Sequence, residues 1–167
     1  MVLSDRRSIV AIDATTRGLA FVFFENGELL DWGERVRSTG EELGAVDALI
    51  DGCAADVLVI EDPDAPGCKR RPRVRELLRQ IARHARRRSV TIVLVSRAEA
   101  RKAWGERGLR NKEAIAAAVA TRFSELSAIV PPRRKPGWNE DPRVNIFDAA
   151  SLVLHHDETF RARPFLR

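Results

Sequence analysis

Ser8-Ile9-Val10-Ala11-Ile12-Asp13-Ala14-Thr15-Thr16 is the stretch around which the rest of the chain is organised. Four apolar residues in a row, mostly β-branched, read as a strand buried on both faces. Asp13 closes that run, and small hydroxyl residues and Gly18 follow it. A carboxylate at the end of a buried strand is costly unless something pairs with it. Taken alone, Asp13 reads equally as an Asp that opens a turn by hydrogen-bonding the backbone after it. The same oddity recurs twice. Val57-Leu58-Val59-Ile60 is a second unbroken apolar run, ended by Glu61, and Asp148 sits inside a helix otherwise apolar around nearly its whole circumference, Val144 to His155.

Outward from the first strand, Leu19 to Glu25 is rich in Phe and Val and reads as a second strand. Asn26-Gly27 then signals a tight hairpin. The return strand, Glu28 to Arg37, alternates Leu30, Trp32 and Val36 with charged residues. Ser38 with Glu41 and Thr39 with Glu42 are two overlapping capping boxes. They precede a helix whose apolar face is Leu43, Val46, Leu49, Ile50 and Cys53, ending near Gly52. Asp62 to Pro72 holds three prolines and a glycine among charges and is a loop. A helix from about Arg73 carries Val74, Leu77, Leu78, Ile81, Ala82 and Ala85 on one face and Arg75, Arg79, Arg83 and Arg86 on another. Val90 to Val95 reads as a third doubly buried strand, and Ser96 with Glu99 caps a short helix carrying Arg101, Lys102 and Trp104. Asn111 to Phe123 is a further helix, and Pro131-Pro132-Arg133-Arg134-Lys135-Pro136-Gly137-Trp138 a basic, proline-rich loop. This order gives a single α/β domain over residues 1–167, a mixed sheet with helices on its faces.

Composition narrows the function classes. The 167 residues are 44% hydrophobic and 32% charged, as in a soluble globular protein. No apolar run approaches the roughly 20 residues of a membrane span, and the start of the chain has no signal-peptide pattern, so a cytoplasmic protein is expected. Cys53 and Cys68 show neither a disulfide framework nor zinc spacing. The net charge of +5 is uneven: Asp62 to Ser89 holds ten basic residues, Lys69, Arg70, Arg71, Arg73, Arg75 and Arg79 among them, against three acids. Such a block fits a polyanion partner, most often nucleic acid, or an ordinary solvated Arg-rich face.

The three acids carry the chemistry. Ligands of such sheets gather outside the carboxyl ends of the strands, where Asp13 and Glu61 both lie and where Asp148 could join them. Three carboxylates this close repel one another and need a cation to stay ionised together. Oxygen-only ligation suits Mg²⁺ or Mn²⁺ rather than zinc, and two such ions can activate a water and stabilise the leaving oxygen of a phosphodiester.

On these residues the chain resembles the RNase H-like superfamily and, within it, the RuvC-type Holliday junction resolvases. The order is similar: Ile9–Asp13 as the first strand, Val57–Glu61 as the fourth, Ile146-Phe147-Asp148-Ala149 opening the last helix. Between them, Arg101-Lys102-Ala103-Trp104-Gly105 and Asn111-Lys112-Glu113-Ala114-Ile115 are similar to the family's lysine-containing helices. The resemblance implies a five-stranded sheet, three antiparallel strands then two parallel, with helices on both faces. It implies a Mg²⁺-dependent endonuclease of recombination and repair that, as a homodimer, nicks branched DNA. Carried over by position, Asp13, Glu61 and Asp148 are metal ligands, and Lys102 (or Arg101) and Lys112 contact the phosphate backbone. Asn145 stands where the family's last helix usually has an Asp or His ligand. The loop after Glu61, which in resolvases typically holds an aromatic wedge, here has none. Two other readings stay open: a catalytically weak or inactive nucleic-acid-binding protein on the same fold, and an actin-like ATPase fragment, disfavoured because the loop after Asp13 lacks a phosphate-binding glycine arrangement.

Overall fold

The computed structural model, which describes residues 7–36 and 40–156, builds a five-stranded sheet around Ser8–Ala14 (β1), buried along its whole length. β1 pairs antiparallel with Gly18–Glu25 (β2), which pairs antiparallel with Glu28–Val36 (β3). On its other side β1 runs parallel to Val57–Glu61 (β4), and β4 parallel to Thr91–Val95 (β5), giving the order β3-β2-β1-β4-β5. The expected mixed sheet is therefore present. At the hairpin tip, Asn26 and Gly27 both have positive φ (53° and 84°), the requirement of the tight primed turn their sequence announced.

The two faces of β1 serve two cores, because successive side chains point to opposite sides. Val10 and Ile12 pack under Glu42–Gly52 (α1) and Pro72–Arg87 (α2). Ile9 and Ala11 pack under Arg97–Glu106 (α3), Lys112–Arg122 (α4) and Val144–His156 (α5). Asp13, two residues beyond Ala11, belongs by this alternation to the α5 side. The cap expected at Ser96 is formed, its Oγ accepting from the Glu99 N–H at 3.3 Å, and Asn111 caps the next helix, its Oδ1 accepting from the Ala114 N–H at 2.8 Å.

Two local expectations are corrected. Ser38 and Thr39 lie outside the described residues, and α1 begins later than their capping boxes require, with Glu41 at its N-cap making no side-chain cap bond. Glu42 instead accepts from the N–H of Gly40, whose φ of +97° turns the chain just before the helix. Second, β5 is not buried on both faces. It is the outer strand, and Leu94 is 40% exposed, since an apolar run looks the same at the edge of a sheet as at its centre. Among the described residues, no helix is long and apolar enough to cross a membrane.

Candidate active site

The register brings two of the acids together. Ile12 of β1 is paired with Ile60 of β4, so the next residues, Asp13 and Glu61, stand side by side at the carboxyl ends of the two strands. Both are almost fully buried, at 1% and 2% exposure. The third comes from above. α5 lies across the sheet with Ile146, Phe147, Ala149 and Ala150 in the core, and its Asp148, also buried, faces the same strand ends. The three acids singled out in the sequence thus meet.

What stands between them is a residue the sequence reading did not single out. Arg97 opens α3, directly after β5, and Val95 is paired with Glu61. Its guanidinium reaches all three carboxylates: Nε donates to Glu61 Oε2 at 2.8 Å, Nη2 donates to Asp13 Oδ1, and Nη1 lies 3.4 Å from Asp148 Oδ2. Arg70, from the loop after β4, repeats two of these contacts, to Asp13 Oδ1 through Nη2 and to Glu61 Oε2 at 2.7 Å through Nε. Lys112, at the start of α4, sits 3.3 Å from Asp148 Oδ2 and donates to Glu140 at 2.8 Å. The Cys68 thiol lies 3.9 Å from the remaining Glu61 oxygen. A cation in the first turn of a helix opposes the helix dipole. Arg97 is held there by the acids, and that misplaced charge is the one signal by which the sequence could have revealed it.

The electrostatics are those of a buried, compensated cluster. Burial raises the Asp13 carboxyl above its ordinary value; the Arg97 and Arg70 guanidiniums pull against it and do not fully win. Glu61 is the opposite case. Burial pushes it up too, but Arg97 and Arg70 more than offset that and hold it below the usual glutamate range. The Arg97 guanidinium, although burial works against its charge, is held more firmly protonated than an ordinary arginine by Asp13, Asp148 and Glu61.

Above the cluster opens a cleft of about 840 Å³, bordered by Glu61, Asp148 and Asn145 and by the basic residues Arg17, Lys69, Arg70, Arg71, Arg101 and Lys112. Asn145 precedes Asp148 by three residues on α5 and so shares its side. Other expected phosphate contacts point elsewhere. Arg73 lies 3.8 Å from Glu42, Arg75 donates to the Pro63 carbonyl at 2.8 Å, and Arg79 pairs with Asp64 at 2.6 Å. On α3 it is Arg101, not Lys102, that borders the cleft.

By donor chemistry the set fits a hard divalent cation: three carboxylates, an amide oxygen, and in Asp13 Oδ2 a buried acceptor with no hydrogen-bond partner. As the side chains stand, no group of three or more acid, histidine or cysteine side chains among the described residues is arranged to hold a metal ion. The guanidiniums bind the oxygens a metal would need.

No protein-family model matches the chain, and no curated protein matches it in sequence. Solved structures do. The chain is similar to a Thermus thermophilus RuvC structure, with a TM-score of 0.61 and 16% identity over 93% of this chain and 95% of that one. It is similar as well to T. thermophilus RuvC in complex with Holliday junction substrate, with a TM-score of 0.59 and 16% identity over 94% and 95% of the two chains. The fold is RuvC-like and RNase H-like.

Proposed function

We propose that the chain is a metal-dependent endonuclease of RuvC type, hydrolysing phosphodiester bonds in branched or structured DNA such as Holliday junctions. The observation that carries this is the convergence of Asp13, Glu61 and Asp148, from β1, β4 and α5, on one arginine, Arg97, with Glu61 and Asp148 lining a basic cleft and Asp13 buried behind Arg97 and Arg70. The likeness to a RuvC solved with a Holliday junction supports DNA as the partner. Asp13, Glu61, Asp148 and the Asn145 amide oxygen would hold Mg²⁺ or Mn²⁺, two ions in all, which when bound supply Lewis-acid stabilisation and an activated water. Lys69, Arg71, Arg101 and Lys112 line the cleft and bind the phosphate backbone by charge and hydrogen bonds. Arg97 and Arg70 act as the counter-ions of the carboxylates, competing with divalent cations for the same oxygens. The described residues hold one such acid cluster, so paired nicks across a four-way junction would take two copies, in keeping with a homodimer. A cytoplasmic setting, where DNA is at hand, completes the reading.

One observation favours a second reading. Arg97 spans all three acids with a side chain only 13% exposed, as a permanent replacement for the metal would. The protein would then bind structured DNA without cutting it. Incubating the protein with junction, flap, duplex and RNA–DNA hybrid substrates in Mg²⁺ or Mn²⁺, with Asp13→Asn alongside, separates the two. Cleavage that disappears in the variant supports the nuclease. Binding without cleavage in every metal leaves the second reading.

A further inference from the structure

Trp138 is a large aromatic that the fold leaves outside. It is 59% exposed, whereas Trp104 is buried and Trp32 packs against the core. An exposed indole is not by itself informative, but this one is held in place. The Trp138 N–H donates to the Lys135 carbonyl at 3.1 Å, with Pro136 and Gly137 between them and Gly137 at a φ of +80°. That is the pattern of a type II turn, in which Pro presets one corner and Gly supplies the positive φ of the next. Arg134 Nε closes the loop further by donating to the Trp138 carbonyl at 2.9 Å. The Lys135 ammonium stands 4.9 Å from the centre of the indole ring, and the ring borders a cavity of about 580 Å³ shared with Arg133 and Arg134.

The loop is also tied to the acid cluster. Trp138 is two residues from Glu140, so their Cα atoms are at most about 7.6 Å apart. Glu140 accepts from Lys112, which in turn reaches Asp148. Lys112 and Glu140 border both this cavity and the cleft above the acids. One nucleic-acid strand could touch both places.

We infer that Trp138 is a stacking platform for an unpaired base of the strand whose phosphate lies in the acid cleft. Three adjacent cations, Arg133, Arg134 and Lys135, complement a phosphate backbone, and an indole face accepts any base. An apolar protein segment would meet guanidiniums here instead of an apolar surface. The inference rests on the nucleic-acid reading above and gives it a preference for unpaired over fully duplex DNA.

The test is a fluorescence-anisotropy titration of a short oligothymidylate and of a duplex of equal length against wild type, Trp138→Ala and Trp138→Phe, over a series of salt concentrations. Trp138→Ala should weaken single-strand binding by roughly 5- to 150-fold, the equivalent of 1–3 kcal/mol per stacked base. Trp138→Phe should recover most of that. Duplex affinity, the salt slope and the melting temperature should stay as in wild type, because no phosphate-binding or core residue is removed. Unchanged single-strand affinity, or equal weakening on single strand and duplex, overturns the inference while leaving branched-DNA cleavage by the wild type intact. A wild type that stacks through Trp138 yet cuts nothing keeps the platform and removes the nuclease. A wild type that binds neither oligonucleotide overturns both.

Discussion

Arg97→Gln is the most informative single change. It leaves an amide N–H near the place of Nε beside Glu61 and removes both the Nη donors that reach Asp13 and Asp148 and the charge that three buried carboxylates share. Removing one partner of a buried ion pair costs about 3–5 kcal/mol, because the remaining charge is left uncompensated. Arg70 still serves Asp13 and Glu61, and Lys112 still serves Asp148, so the lower end, about 3 kcal/mol, applies. For a chain of this size 1 kcal/mol corresponds to roughly 2–4 °C, which puts the expected fall in melting temperature at about 6–12 °C with chelator present. The acids, short of a counter-charge, then bind protons more readily in the folded state than in the unfolded one. The deficit should therefore shrink as the pH falls and grow as it rises. Mg²⁺ or Mn²⁺ should stabilise the variant, by about 2.7 kcal/mol where the ion is at a hundred times its dissociation constant, and the wild type by less. Scanning calorimetry of both proteins, with chelator and with each metal, measures all of this without any cleavage assay. A variant as stable as wild type, or one that gains nothing extra from metal, would refute the view that guanidinium and metal compete for one set of oxygens.

Asp13→Asn and Asp148→Asn should each abolish cleavage in a junction-nicking assay while leaving DNA binding intact or tighter, since each removes a ligand and a charge that repels phosphate. Asn145→Asp should lower the Mg²⁺ concentration for half-maximal cleavage and Asn145→Ala raise it, because a fourth carboxylate neutralises more of two divalent ions; a Mg²⁺ titration of the three proteins reads the midpoints, and identical ones would show that Asn145 takes no part. Replacing Lys69, Arg71 and Lys112 by Ala should make the slope of log affinity against log salt shallower by roughly 0.9 for each phosphate no longer neutralised. Arg75→Ala with Arg79→Ala should leave that slope unchanged, because those guanidiniums are tied to Pro63 and Asp64.

The sheet and its acids were legible because they obey short-range rules. Apolar runs mark strands, Asn26-Gly27 marks a hairpin, and a carboxylate at the end of a buried run is costly enough to notice. Other features obeyed no such rule. The run Val90 to Val95 has the composition of a central strand, and only the pairing order makes β5 an edge. The basic stretch after Glu61 reads as one stripe, yet the fold divides it. Lys69, Arg70 and Arg71 border the cleft, while Arg75 and Arg79 turn to acids and carbonyls beside them. Arg97 was hidden by abundance: in a chain with 29 lysines and arginines its one signal, a cation in the first turn of a helix, is shared with Arg73 and Lys112. Its role depends on the parallel β4–β5 pairing, which sets the start of α3 beside Glu61.

The acid cluster makes a stronger case for chemistry than for architecture. Replacing a buried ion cluster with well-packed apolar residues is commonly neutral or stabilising by about 1–4 kcal/mol, so stability alone gives no reason to assemble Asp13, Glu61 and Asp148. The arrangement also leaves Asp13 Oδ2 buried without a partner, a cost that Arg97 and Arg70 do not relieve because both bind the other oxygen. Three carboxylates against Arg97, Arg70 and Lys112 leave the cluster close to neutral as it stands. A phosphodiester entering the cleft brings negative charge to those same cations. Each hydrogen bond they transfer to phosphate is one withdrawn from the carboxylates, and the oxygens so released are the donors a divalent ion requires. On the proposed nuclease reading, DNA binding and cation binding would in this way be coupled through Arg97 and Arg70. Arg70 is the more exposed of the two, at 24% against 13%, and lies on a loop, so it is the cheaper to move. Arg97, at the head of α3 and in contact with all three acids, is the one that would have to give up its contacts for a metal to reach Asp13, Glu61 and Asp148 together.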